Sequence, residues 1–103
     1  LTVQLLLNSS NVIEVNNVRA LGEPVSDATV EATIYDRNLA PVLGQVWPLQ
    51  LQSVAPGSYR ATANADLTLE RGALYTVVVT AVAADTKKRT WEIETTAQAD
   101  KVF

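Results

Sequence analysis

The chain has 103 residues, carries a net charge of −3 and contains no cysteine, histidine or methionine. This length is typical of one domain, predicted over residues 1–103, and no apolar run reaches the roughly 20 residues that a membrane-spanning helix needs. The slight excess of acidic residues gives no basic surface for DNA or RNA. The composition therefore predicts one domain with no nucleic-acid partner and no insertion into a membrane.

The missing residue types also restrict the chemistry. Without cysteine there is no thiolate nucleophile, and without histidine the usual general base near neutral pH is absent. Glu92 and Glu94 lie two residues apart on one predicted strand face, and we interpret them as solvated charges rather than the paired acids of a glycosidase. We therefore expect a protein that is not an enzyme, with no catalytic residue, no cofactor and no metal site.

Apolar and polar residues alternate with a period of two along most of the chain, which predicts β-strands rather than helices. Turn residues, such as Pro56-Gly57 and Arg71-Gly72, separate the alternating runs. Pro48 allows a break inside the fourth run because proline cannot donate a hydrogen bond to a β-ladder. The predicted strands cover residues 2–7, 11–19, 28–36, 43–53, 57–64, 73–84 and 89–97.

The third predicted strand shows the alternation clearly. Val30 and Ile34 share one face, which we expect in the core, and Tyr35 lies on the other face. Tyr59 and Trp91, in later strands, are in phase with other inward residues. Core packing is the prediction for both of these rings.

The segment Leu69–Ala81 carries the strongest fold signal. A leucine, a turn with Gly72 and then Tyr75 lead into a β-branched run, which is how many β-sandwich domains begin a central strand. In such domains the tyrosine hydroxyl bonds to backbone a few residues upstream. We expect Tyr75 to make this bond.

The two faces of this central strand are predicted to differ. The inward face consists of Tyr75, Val77, Val79 and Ala81. The outward face consists of Thr76, Val78, Thr80 and Val82. Two interpretations of the outward valines stay open: neighbouring side chains cover them, or this face packs against a second subunit or another protein partner.

Two further features have alternative interpretations. Trp47 precedes Pro48 and either packs in the core or, together with Tyr35, forms a platform on which a sugar stacks. The basic run Lys87-Lys88-Arg89 is either the charged tip of a hairpin or a salt-sensitive contact to an acidic partner.

Three motifs carry a resemblance to known families. Gly22–Ala32 resembles the opening of bacterial immunoglobulin-like and macroglobulin-like modules, and Pro56–Ala61 resembles one of their later strands. Leu69–Val79 resembles the segment of fibronectin type III domains with the pattern L-x-x-G-x-x-Y-x-V-x-V. The whole chain is also similar to small proteins of tailed phages and prophages.

The resemblance implies an all-β fold, a single antiparallel immunoglobulin-like β-sandwich of about seven strands. It further implies a non-enzymatic structural or interaction module, part of a phage virion or a cell-surface assembly. The alternative function is a carbohydrate- or peptide-binding module. A virion, extracellular or periplasmic location is favoured over the cytoplasm, and the start at Leu1 leads us to expect residues upstream.

Overall fold

The fold is all-β, as the alternation predicts. A computed structural model describes residues 2–3, 5–7, 10–64, 66–83 and 87–98, and these contain nine strands and no helix. The predicted strand positions at residues 4 and 84 lie outside this part of the chain. The strands are β1 (Thr2–Val3), β2 (Asn11–Val15), β3 (Arg19–Ala20), β4 (Glu23–Pro24), β5 (Thr29–Tyr35), β6 (Leu49–Ala55), β7 (Ser58–Ala63), β8 (Leu74–Val82) and β9 (Lys88–Thr96).

Seven strands form one curled antiparallel sheet in the order β1-β2-β7-β6-β5-β8-β9, and β3 pairs only with β4. Strand β6 is shared by both halves of this sheet. Its start pairs with β5, where Leu51 lies opposite Val30, and its end pairs with β7. The register shifts between Ser53 and Ala55, and an irregularity of this kind bends a strand. The sheet therefore curls at β6.

The two edge strands of the curled sheet are linked at one end. After β1, the chain runs beside the segment that follows β9, and Leu6 forms a parallel bridge with Gln98, two residues beyond the end of β9. The Gln98 N–H donates to the Leu5 carbonyl at 2.9 Å, and the Leu7 N–H donates to the Gln98 carbonyl at 2.8 Å. These bonds hold a segment from near the start of the chain against one from near its end.

One hydrophobic core lies inside the curl and takes side chains from both halves. Val77 and Val79 of β8 are fully buried, as are Ile34 of β5 and Ile13 of β2, and all belong to the same cluster. Each such side chain contributes roughly 1.5–3 kcal/mol on burial. The predicted inward faces of the strands at 28–36, 57–64 and 73–84 are therefore confirmed.

The predicted corner at Tyr75 is confirmed. The Glu70 N–H donates to the Tyr75 hydroxyl at 2.7 Å, and the tyrosine ring is buried. Gly72 occupies the turn between them with φ of +80°, a conformation that favours glycine. The Gly72 N–H donates to the Ala97 carbonyl at 2.8 Å, so the same turn is also attached to the end of β9.

Tyr59 makes a second anchor of the same kind, which the alternation pattern does not reveal. Its ring is 1% exposed, and its hydroxyl donates to the Val25 carbonyl at 2.8 Å. The same hydroxyl accepts a hydrogen bond from the Ala28 N–H at 3.1 Å. Strand β7, in one half of the sheet, is thereby fixed to the segment that leads into β5, in the other half.

Three predicted strands are markedly shorter in the structure. The run predicted at 2–7 is a strand only at Thr2–Val3 within the described residues and continues as the single bridge at Leu6. The run predicted at 43–53 begins as a strand only at Leu49, because Gly44, with φ of +103°, and the following residues form turns. The run predicted at 11–19 ends at Val15, because Asn17 takes a positive φ of 64° and cannot continue a ladder. The chain then forms the small β3-β4 hairpin, which the sequence pattern did not predict.

Candidate functional site

The outward residues of β8 lie at the centre of a three-stranded surface, with β5 on one side and β9 on the other. We call this surface the outer face. Because side chains directly opposite each other on antiparallel strands are neighbours, the face consists of four rows. In the order β8, β5, β9 the rows are Thr76 with Tyr35 and Glu94, Val78 with Thr33 and Glu92, Thr80 with Glu31 and Thr90, and Val82 with Thr29 and Lys88.

The outward residues of β8 are more exposed at the two ends of the strand, Leu74 and Val82, than between them. Val82 is 40% exposed, whereas Thr76, Val78 and Thr80 are half-buried by their neighbours. Neighbouring side chains thus cover these three residues in part, and each still has surface available for contact. The predicted outward orientation of all four residues agrees with this alternation along β8.

The outer face carries more negative than positive charge. Three carboxylates lie on it, from Glu31, Glu92 and Glu94, against one ammonium group from Lys88. Only Glu31 among these acids has a side-chain hydrogen bond in the described residues, accepted from the Gln50 amide at 3.0 Å. A partner with basic side chains around an apolar centre would complement this surface.

The surface of the other half of the sheet is different. There Arg60 of β7 and Glu14 of β2 lie directly opposite each other and form an ion pair at 3.2 Å. This pairing neutralises the charges locally. An exposed pair of this kind contributes at most about 1 kcal/mol to stability.

Tyr35 and Trp47 do not share one surface. Trp47 packs against the hydrophobic core, and its indole N–H donates to the Val42 carbonyl at 2.7 Å. Tyr35 lies half-buried on the opposite side of β5 from Ile34, at the end of the outer face. The two rings that the sequence suggested as a joint platform are thus directed to different sides of the sheet.

A shallow depression lies between the β5-β6 and β7-β8 connections. No pattern in the sequence predicts it. Its volume is about 560 Å³, and Arg37, Leu43, Glu70 and Leu74 are among the residues that line it. The nearby carboxylate of Asp36 accepts hydrogen bonds from two backbone N–H groups of its own loop. That carboxylate therefore stabilises the loop. Only the spatial approach of two connections distant in sequence creates this depression.

The remaining chemical groups are dispersed over the surface. Within the described part of the chain, no three acidic side chains come close enough to hold a metal ion, and no helix is long and apolar enough to cross a membrane. Lys87 and Lys88 are exposed where β9 begins, and the Arg89 guanidinium donates to the Lys87 carbonyl at 2.9 Å. Residues 84–86 of the predicted hairpin lie outside the described residues.

Comparisons of the chain with protein-family models, with curated proteins and with solved structures give no significant match.

Proposed function

We propose that this chain is an immunoglobulin-like β-sandwich module that binds a protein partner through its outer face and serves as a non-catalytic part of a larger assembly. The motif resemblance makes a phage virion or a cell surface the setting. The observation that carries the proposal is the outer face itself, where the partly exposed Val78 and Val82 lie on a strand whose two neighbours carry three carboxylates.

The strand order supports the immunoglobulin-like assignment. If the seven strands of the main sheet are lettered A to G in chain order, one half reads A-B-E-D and the other C-F-G. These are the two sheets of a constant-type immunoglobulin domain. The difference lies in strand D, our β6, which also pairs with strand C and joins the two sheets into one curled sheet.

Tyr75 supports the same assignment. Immunoglobulin-like domains carry a corner tyrosine near the start of strand F, and β8 is the sixth strand of the main sheet. In antibody domains a disulfide cysteine follows that tyrosine by two residues. Here Val77 occupies the corresponding position and is fully buried, so aliphatic packing takes the place of the disulfide.

The composition of the outer face indicates how a partner would bind. Apolar area from Val78 and Val82 favours association through removal from water, at roughly 25 cal/mol per Å² buried. The surrounding carboxylates contribute mainly to the choice of partner and to its rate of approach. We expect the partner to present basic side chains around an apolar patch.

Site-specific photo-crosslinking tests this proposal. A photoreactive amino acid replaces Thr80 on the outer face or, as the control, Thr62 on the opposite half of the sheet. Both variants are expressed in the cells or particles from which the chain comes. The proposal predicts a discrete protein adduct from position 80 that is absent from position 62 and is reduced about tenfold or more by Val78→Asp.

Two results would contradict the proposal. One is the same adduct pattern from positions 80 and 62, and the other is an adduct from position 80 that Val78→Asp leaves unchanged. Circular dichroism of Val78→Asp is the necessary control, because Val78 is half-buried and the fold must be intact for the comparison.

The alternative, a carbohydrate- or peptide-binding module, has weaker support. A stacking platform needs an accessible ring, whereas Trp47 packs against the core with its N–H already bonded. Tyr35 remains as the candidate ring for a sugar. Binding on a glycan array that Tyr35→Ala abolishes would favour this function over the protein-binding one.

A further inference from the structure

The two edges of the curled sheet differ greatly in length. Strand β1 has two residues, whereas β9 extends over Lys88–Thr96 and pairs only with β8. From Thr90 to Thr96, the backbone N–H and C=O groups of β9 that point away from β8 have no backbone partner among the described residues. Leu6 and its neighbours come near this edge only at Gln98, after β9 has ended. Strand β9 thus offers a long edge for the addition of another strand.

The side chains of β9 restrict which strand can be added. On the outer face β9 carries a positive charge at Lys88 and negative charges at Glu92 and Glu94. On the other side Trp91 and Ile93 pack partly against the core and remain half-buried. The strand therefore has opposite charges toward its two ends and a large aromatic side chain near its middle.

A second copy of the chain can pair with this edge in few ways. Two identical strands side by side and antiparallel are related by a twofold axis perpendicular to the sheet. Such an axis keeps the outer faces of both copies on the same side. Outer residues can therefore lie opposite only outer residues, and inner residues opposite only inner ones, which leaves a short series of registers to compare.

Charge distinguishes the registers. With the axis at Glu92, this carboxylate would lie opposite its own copy, which is unfavourable. With the axis at Thr90, Lys88 lies opposite Glu92, but the two strands overlap only over residues 88–92. With the axis at Trp91, the strands overlap over residues 88–94, Lys88 lies opposite Glu94 on both sides of the axis, and no like charges are opposed. The two Trp91 rings also meet and shield each other from water.

We propose that two copies of this chain form a symmetric dimer through antiparallel pairing of β9 with β9, centred on Trp91. This inference rests on the proposed role as an interaction module and adds a second copy of the chain as a partner at the sheet edge. The charges on β9 have two effects in this arrangement. They oppose indiscriminate edge-to-edge aggregation, and they select one register.

Charge reversal with rescue tests the dimer. Sedimentation is measured from about 10 µM to 1 mM for the unaltered chain, for Lys88→Glu, for Glu94→Lys and for the double variant. Each single change places like charges opposite each other twice and should weaken dimerisation about tenfold or more. The double variant restores opposite charges and should recover dimerisation. Glu23→Lys in β4, which pairs only with β3 and is not part of the main sheet, is the matched charge control and should have no effect.

Amide hydrogen exchange locates the interface independently. On raising the protein concentration, alternate amides of β9 should exchange more slowly, while those of β8 should not change. A dimer in which β9 amides show no protection would overturn the proposed edge. Rescue of Lys88→Glu by Glu92→Lys instead of Glu94→Lys would overturn the register centred on Trp91.

A chain that remains monomeric at the highest concentration would overturn the dimer altogether. That result leaves the outer-face proposal standing, because Val78 lies on β8, one strand in from the edge. Conversely, the same adduct pattern from positions 80 and 62 would contradict the outer-face proposal without affecting the concentration dependence of β9 exchange. The two proposals can therefore fail separately.

Discussion

Two buried tyrosines fix two different regions of the molecule with their hydroxyl groups. Tyr75 accepts a hydrogen bond from Glu70, five residues upstream, and so holds one turn. Tyr59 bonds to Val25 and Ala28, which precede it by more than thirty residues and lead into the other half of the sheet. The first tyrosine orders a local corner, and the second connects the two halves across the core.

The difference indicates which of the two hydroxyl groups contributes more to the stability of the fold. The Tyr75 hydroxyl makes one hydrogen bond, accepted from the Glu70 N–H, so its removal affects a single backbone group. The Tyr59 hydroxyl makes two bonds: it is the acceptor for the N–H of half-buried Ala28, and it donates to the Val25 carbonyl, which also accepts from the Gly57 N–H at 2.8 Å. A buried donor or acceptor left without a partner costs more than an exposed one.

The largest expected effect comes from Tyr59→Phe, which removes two hydrogen bonds and leaves the Ala28 N–H without a partner among the described residues, while the Val25 carbonyl keeps its bond from the Gly57 N–H. We expect the free energy of unfolding to fall by about 2–3 kcal/mol, measured by urea denaturation. Amide exchange at Ala28 should accelerate at the same time, because its N–H donates to that hydroxyl. A loss below about 0.5 kcal/mol would contradict the role of Tyr59 as the connection between the halves.

Tyr75→Phe should have a smaller effect, about 1 kcal/mol, because only one hydrogen bond is lost. The faster amide exchange should be confined to Glu70 and the adjoining turn. If Tyr75→Phe destabilised the protein more than Tyr59→Phe, the distinction between a local and a connecting anchor would be wrong.

Combining the two changes tests whether the anchors act independently. The hydroxyls share no partner, so the double variant should lose the sum of the two single effects to within about 0.5 kcal/mol. A larger coupling energy would show that the corner at Tyr75 and the connection at Tyr59 stabilise the same part of the fold.

Tyr35→Phe is the matched control and the smallest expected effect. Tyr35 lies half-buried on the outer face, and its hydroxyl makes no hydrogen bond within the described residues. The free energy of unfolding should change by less than about 0.5 kcal/mol. A larger loss would mean that removing any tyrosine hydroxyl destabilises this protein, and the comparison would lose its meaning.

The local features of the fold could be predicted from the sequence. The alternation in β8 indicates which residues are buried, because side-chain direction in a strand has a period of two. The Tyr75 anchor could be predicted because both of its ends lie within five residues. The outward orientation of Val78 and Val82 follows from the same alternation.

The features that depend on long-range pairing could not be predicted. The partners of Tyr59 are determined by how β7 approaches the segment before β5, and no local pattern encodes this approach. The sharing of β6 between the two halves is equally hidden. Likewise, the alternation predicts that Val78 points outward. Its neighbours, Thr33 and Glu92, are determined by the register of the strands, which the alternation does not contain.

The bonds between Leu5, Leu7 and Gln98 have a mechanical consequence. The two segments run parallel, so a force that pulls the flanking chain apart at both ends would slide one segment along the other. Both hydrogen bonds would then bear the load together rather than opening one after the other. Because forced unfolding depends on the height of the unfolding barrier, we expect these two bonds to raise the force at which the domain unfolds when it is pulled from its two ends.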